Sequence, residues 1–283
     1  MGVRPLSRRA TPQAPAPNPW ATPQAASPRL IALDIDGTTV HEHRPPSPRV
    51  LAAVRAAAEQ AHVMLCTGRT VLGVGRVLEQ LGLGSGVTVC SNGAVVMDTA
   101  SGSVLRTVSL DPAPTVALLR EILPGAIFGC EETGVGQRIT APFPEGILAG
   151  RVRVVPEDEL VAAPTAKVIA YWPSAAPAEV AARMAGVAVP GAEVTLDHEL
   201  PWVTMVPAGV SKASALAAVA ADLGVAREDV LAVGDGDNDR AMLRWAGLGV
   251  AMGQAPEAVK ADADEVTGTV LDDGLAMVLE RFR

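Results

Sequence analysis

Aromatic side chains make up only 3% of this 283-residue chain, so its core must be built mainly from Ala, Val and Leu. Cysteine is scarcer still. Cys66, Cys90 and Cys130 are odd in number and far apart, which speaks against a disulfide framework or a zinc cluster and fits a reducing, cytoplasmic setting. No uncharged apolar run reaches the roughly 20 residues of a membrane span, so the chain reads as soluble and without a membrane partner. A basic stretch is lacking too. With a net charge of -8 there is no phosphate-neutralising patch of the kind that non-specific nucleic-acid binding needs. Neither a Gly-Lys-Thr phosphate loop nor Gly-x-Gly-x-x-Gly follows an apolar run, which excludes nucleotide folds of those kinds.

The length suffices for one large domain or two ordinary ones. Residues 1–28 carry Pro5, Pro12, Pro15, Pro17, Pro19, Pro23 and Pro28 with three arginines and no acid, and read as a disordered tail. They lack the apolar centre of a secretory signal. From Leu30 onward strands alternate with helices. Ser47 and Pro48 start a helix running to Ala61, followed by a strand at Val63–Cys66, a helix at 71–81 and a third strand at 87–90. Such alternation predicts a Rossmann-like, doubly wound α/β fold with a parallel sheet. After Gly93 the character changes, with a hairpin at 94–108 and then mixed helices and strands to Val206. The sequence therefore predicts a core of residues 29–93 and 207–283, interrupted by an α/β insertion at 94–206. In the second half, helices are expected at 211–223, 238–245 and 272–282, and strands at 230–233 and 248–251.

What is present in strength is carboxylate at strand ends. Leu30, Ile31, Ala32 and Leu33 run into Asp34, Ile35, Asp36, Gly37 and Thr38, and alternation would send Asp34 and Asp36 to one side. Two such charges about 4 Å apart repel by roughly 4 kcal/mol in a partly buried site, so a cation or a proton must offset them. A second buried strand ends in Gly234, Asp235, Gly236, Asp237, Asn238 and Asp239. In parallel sheets ligands bind at that edge, and oxygen donors without Cys or His favour magnesium. A calcium loop is excluded because Met242 stands where its glutamate should be. Thr67, Gly68 and Arg69 follow the second strand and suit a phosphate oxygen, although Thr67 or Thr70 could equally cap the next helix. Lys212 opposes the dipole of its own helix, a sign that something else holds it. His41 and His43 read as solvated loop residues, Cys66 and Cys90 as small apolar packing, and Trp172 and Trp202 as part of the core of the insertion or an aromatic lining of the cleft. The sequence leaves open whether Glu131 and Glu132 face solvent or a cleft.

In this order and spacing the motifs resemble the haloacid dehalogenase superfamily, specifically its Cof-type phosphatases. The matching residues are Asp34 to Thr38, then Thr67 to Arg69 with Ser91, Asn92 and Gly93, then Lys212, then Gly234 to Asp239, with Val250 to Gly253 and Asp272 to Gly274 behind them. Gln254 replaces a common asparagine and Thr39 a common leucine, the latter expected to matter little. The resemblance implies a cap domain in the insertion and a magnesium-dependent phosphatase acting on small phosphorylated metabolites such as sugar phosphates. It implies Asp34 as the nucleophile and Asp36 as the acid and base. Magnesium would be held by Asp34, the Asp36 carbonyl and Asp235, with Asp239 oriented behind them. Thr67, Gly68, Asn92, Lys212 and Asn238 would bind the phosphoryl group. The rivals are a phosphomutase or other phosphotransferase of the same superfamily and a non-catalytic phospholigand sensor.

Overall fold

The structure, a computed structural model, describes residues 27–41 and 44–282. His43 and nearly all of the expected tail lie outside them. Five parallel strands form the central sheet, in the order Glu265–Val266, Leu248–Ala251, Val230–Gly234, Leu30–Leu33, His62–Leu65. The strand Leu30–Leu33 is buried on both faces. Ile31 and Leu33 pack with Val50, Val54, Val74 and Leu78 from the helices Pro48–Ala58 and Val71–Leu81. Leu30 and Ala32 pack on the other side with Leu216, Val219 and Leu243, from the helices Lys212–Asp222 and Arg240–Trp245. Each fully buried aliphatic side chain contributes about 1.5–3 kcal/mol. Helices on both faces make the doubly wound arrangement that the alternation predicts.

Several elements differ from the sequence expectation in ways that have a local cause. The first helix ends at Ala58, three residues short, in a closing turn where the N–H groups of Gln60 and Ala61 share the Ala57 carbonyl. Val87–Cys90 touches the parallel sheet through one bridge, Cys66 to Val89, and otherwise pairs antiparallel with the hairpin Val95–Asp98 and Val104–Thr107. Val95 and Met97 of that hairpin share the apolar cluster of Ile31. The helix expected at 238–245 begins as a 3-10 turn, Asp237–Asp239, where the Asp239 side chain folds back on the loop. The closing helix shortens to Gly274–Leu279 behind Asp273, which stands at φ 58°.

A six-stranded sheet forms the cap, in the order Ala192–Leu196, Trp202–Pro207, Val168–Tyr171, Ile127–Glu132, Gly136–Ile139, Arg151–Val154. One face packs on the helices Pro112–Ile122 and Pro177–Met184 through Leu119, Phe128, Val168, Met184 and Met205. The last two strands are short; Gly136–Ile139 shows no apolar alternation, and in Arg151–Val154 the alternating valines are exposed and mark no buried face.

Candidate active site

The chain leaves Leu30–Leu33 toward one edge of the sheet and returns to Val230–Gly234 beside it, so the two central strands form a topological switch point. Leu33 lies in register with Val233, and the Asp34 N–H bonds the Val233 carbonyl at 3.0 Å. That pairing brings the two acidic loops together. Gly37 makes the turn possible: at φ 81° it is left-handed, and a Cβ there would lie 2.0 Å from Asp235 Oδ2. Thr38 donates to Asp235 Oδ1 at 3.1 Å, and Thr39 donates to the Asp34 carbonyl at 2.5 Å. Thr39 thus ties its side chain to the loop that carries Asp34.

Asp34, Asp235 and Asp239 offer carboxylate oxygens that lie within 4.8 Å of one another. Lys212 Nζ reaches Asp34 Oδ1 and Asp239 Oδ1, each at 2.6 Å, at a fully buried position. These are the partners that its unfavourable helix position anticipates. Burial opposes the Lys212 ammonium, yet Asp239 and Asp34 hold its pKa well above the ordinary lysine value. Burial pushes the Asp34 carboxyl well up; Lys212 pulls it down, and Asp239, Asp235 and Asp36 push it up again. Asp235 is pushed up to about 6, chiefly by burial and then by Asp239. One ammonium against three carboxylates leaves a net charge that a divalent cation would neutralise. All donors are hard oxygens, so this set fits magnesium.

Asp36 is not part of that cluster. Its side chain is exposed and gripped by Arg69, from Nε to Oδ2 at 2.9 Å and from a terminal nitrogen to Oδ1 at 2.5 Å. Thr67 is fully buried and its hydroxyl accepts from the Arg69 N–H. Gly68 lies against Asn92, where a Cβ would stand 3.0 Å from Asn92 Oδ1. Asn92 is left-handed at φ 53°, and its Oδ1 accepts from Asn238 Nδ2 at 3.0 Å. Thr67, Gly68, Asn92 and Asn238 therefore converge beside the acids. Asp239 Oδ2 accepts from the N–H groups of Asp235 and Gly236, which fixes the acidic loop. Cys66 and Cys90 are free and buried; burial pushes both thiols up, Cys90 to about 12.

Of four further participants, Lys167 and His198 escaped sequence reasoning, and Gln254 and Glu131 were noted there without a role. Gln254 donates to the Gly37 carbonyl at 2.6 Å and to Asp235 Oδ2 at 3.2 Å, while its Oε1 accepts from the Val270 N–H. Its place after Met252 and Gly253 was the available signal. From the cap, Lys167 Nζ donates to the Gly68 carbonyl at 2.9 Å, Glu131 accepts from Ser91, and His198 bonds Asp237 at 2.9 Å. Glu131 therefore faces the cleft.

Carboxylates gathered at the switch point of a doubly wound sheet, beneath an inserted cap, mark a capped α/β enzyme. The sequence profile of the haloacid dehalogenase-like hydrolases matches residues 31–124 and 179–279, and the chain belongs to that family. Its enzyme class is phosphatase. The chain is 28% identical to a 5-amino-6-(5-phospho-D-ribitylamino)uracil phosphatase of Bacillus subtilis, covering 90% of this chain and 95% of the relative. It is also 28% identical to a phosphoglycolate phosphatase of Natronomonas pharaonis, with 89% and 97% covered. A solved phosphatase of the haloalkanoate enzyme superfamily from Bacteroides thetaiotaomicron superposes with a TM-score of 0.73 at 26% identity, covering 98% of this chain and 99% of that one. Among the described residues no helix is long and apolar enough to cross a membrane.

Proposed function

We propose that the protein is a magnesium-dependent phosphatase that hydrolyses small phosphomonoesters through a phosphoaspartate on Asp34. The observation that carries this reading is the placement of Asp34 at the switch point, bonded to Lys212 and within reach of Asp235 and Asp239. Asp34, Asp235 and the Asp36 carbonyl would hold the metal, with Asp239 fixing the loop behind them. Bound there, magnesium would neutralise phosphoryl and carboxylate charge as transfer proceeds.

An oxygen of Asp34 attacks phosphorus, and the bond from phosphorus to the ester oxygen breaks. Asp36 gives the departing oxygen its proton. Asp36 then takes a proton from water, whose oxygen attacks the phosphoaspartate, releasing inorganic phosphate and restoring the Asp34 carboxylate. Asp36 must leave Arg69 for part of this cycle, and an ester at the cleft gives it a new partner. Thr67, Gly68, Asn92 and Asn238 orient the phosphoryl oxygens. Lys212, held by two carboxylates, keeps Asp34 aimed.

The substrate class is that of small metabolites, because a cap bonded to Gly68, Ser91 and Asp237 leaves no room for a macromolecule. The relatives' named substrates, a ribitylaminouracil phosphate and phosphoglycolate, agree with that scale. Three free, buried cysteines support a cytoplasmic setting. The test is release of inorganic phosphate from p-nitrophenyl phosphate with magnesium and with a chelator. Metal-dependent release without a bisphosphate activator is expected. A requirement for the activator would favour the phosphomutase, and no turnover would favour the phospholigand sensor.

A further inference from the structure

A cavity of about 130 Å³ opens between the segment that follows the first acidic loop and the helix Val71–Leu81, and three arginines line it. Arg44 comes from that segment, Arg69 from the loop behind the strand His62–Leu65 and Arg76 from the helix, so no basic stretch announces them in the sequence. Among the described residues no carboxylate lines the cavity, in a chain whose net charge is -8. Val40 and Val77 are buried and supply apolar wall, and low-dielectric walls around charges of one sign concentrate their field. The volume of about 130 Å³ is roughly four times the share of one molecule in liquid water, about 30 Å³, which leaves room for an oxyanion.

The three cations differ in what holds them. Arg69 is already engaged, for Nε and one terminal nitrogen grip Asp36 while the other terminal nitrogen donates to the Gly73 carbonyl at 3.3 Å. Three of its five N–H donors are used in this way, so two remain for a further acceptor. The guanidinium groups of Arg44 and Arg76 have no hydrogen-bond or ion-pair partner among the described residues. Their backbones are nevertheless fixed. Arg44 precedes Pro45 and Pro46, which restrict its dihedrals, and its N–H bonds the His41 carbonyl at 3.0 Å. Arg76 shares a helix face with Gln80, whose amide joins the lining. Like charges around one cavity repel, and an anion between them removes the repulsion. Guanidinium groups drawn from three segments to one cavity suit phosphate, whose oxygens accept paired bonds from such forks.

We propose that this cavity is a second phosphate site, distinct from the reacting one, and that its occupant competes with Asp36 for Arg69. The effect on turnover rests on the phosphatase reading above; the binding does not. Arg44 and Arg76 belong to neither the proposed metal set nor the phosphoryl loops, and Arg69 is the link between the two places. An anion on Arg44 and Arg76 draws the Arg69 guanidinium toward itself and loosens the pair that aims Asp36. Turnover slows while the reacting site stays open to substrate. The phosphate group has two sources, the inorganic phosphate that the reaction releases and a second phosphate carried by the substrate itself.

Calorimetry with inorganic phosphate in a chelator reads this site apart from the metal centre. Metal-independent binding is expected, with an affinity that Arg44→Gln and Arg76→Gln each weaken about tenfold or more. Wild-type affinity in both variants overturns the site, as does the absence of binding without metal, whether or not any ester is hydrolysed. Retained binding with no hydrolysis of any ester overturns the phosphatase reading alone. Initial rates on saturating p-nitrophenyl phosphate, at constant ionic strength, read the competition. Added phosphate should lower kcat by up to about tenfold, the loss expected when Asp36 is loosened, and should leave kcat unchanged in Arg44→Gln/Arg76→Gln. Without added phosphate that double variant should match the wild type. A wild-type kcat that ignores phosphate, or an equal fall in the double variant, overturns the competition for Arg69. Fructose 1,6-bisphosphate against fructose 6-phosphate separates the sources. A preference in kcat/KM for the bisphosphate that the double variant loses assigns the site to the substrate's second phosphate, and the same ratio in both proteins assigns it to free phosphate.

Discussion

Arg69 holds Asp36 by two parallel hydrogen bonds, of 2.9 and 2.5 Å, and turns its carboxylate away from the cluster around Asp34. Burial works against the Arg69 guanidinium, but the bonds to Asp36 come first and raise its pKa above the ordinary value. The proposed proton carrier is thus parked on a fixed partner while the acids proposed to bind metal stay beside Lys212. A bidentate pair of this kind fixes direction as well as charge.

If Arg69 acts through Asp36, the two substitutions will not add. Asp36→Asn should lower kcat about 100-fold or more, the range of a lost general acid and base. Arg69→Ala alone should lower it about tenfold by loosening Asp36. In the Asp36→Asn background the loss of Arg69 should add little, which a double-mutant cycle on kcat measures. Full additivity would give Arg69 a separate duty.

Lys212 is the cation between two buried carboxylates. Lys212→Ala would leave Asp34 and Asp239 facing each other unneutralised, and removing one partner of a buried pair costs about 3–5 kcal/mol. Urea unfolding without metal should show that loss, and magnesium should recover part of it. A smaller deficit with metal than without is the signature that Asp34 and Asp239 share one charge balance.

Gly37→Ala tests the turn. The new Cβ would meet Asp235 Oδ2 at 2.0 Å in a left-handed conformation, so the acidic loop must move. Strain of this kind costs about 1–3 kcal/mol. Magnesium affinity, followed by calorimetry, should fall more steeply than the melting temperature. Unchanged metal affinity would place Asp235 outside the metal site.

Much of this site was legible because its residues sit where strands end. Asp34 and Asp235 follow apolar runs that form buried strands, and Lys212 stands at a helix N-terminus whose dipole disfavours it. What stayed hidden depends on tertiary placement. The direction in which Asp36 points is set by Arg69, thirty-three residues later, and no local pattern carries it. Glu131 lies near the end of Ile127–Glu132 and Lys167 just ahead of Val168–Tyr171, beside apolar neighbours, so the local pattern gave no sign that these charges are buried between cap and core. The hairpin at 95–107 read correctly as a hairpin, but its pairing with Val87–Cys90 follows from packing against Ile31 and not from its turn.

Asp235 gives the metal-free protein a pH dependence with a definite sign. Burial and then Asp239 raise its pKa from the ordinary 3.8 to about 6, so the folded state takes up a proton more readily than the unfolded chain. A raised carboxyl stabilises the fold fully below the unfolded value, and that contribution disappears as pH rises through the folded one. The change amounts to about 3 kcal/mol between about pH 4 and about pH 7. Asp235→Asn removes the ionisation while keeping the shape. In a chelator, the stability of the variant relative to the native protein should therefore rise over this window, as read by urea unfolding at each pH. Magnesium selects the ionised form and should reverse the ranking at neutral pH, making the native protein the more stable of the two. A difference that stays constant with pH would mean that Asp235 ionises in the fold as it does in the unfolded chain.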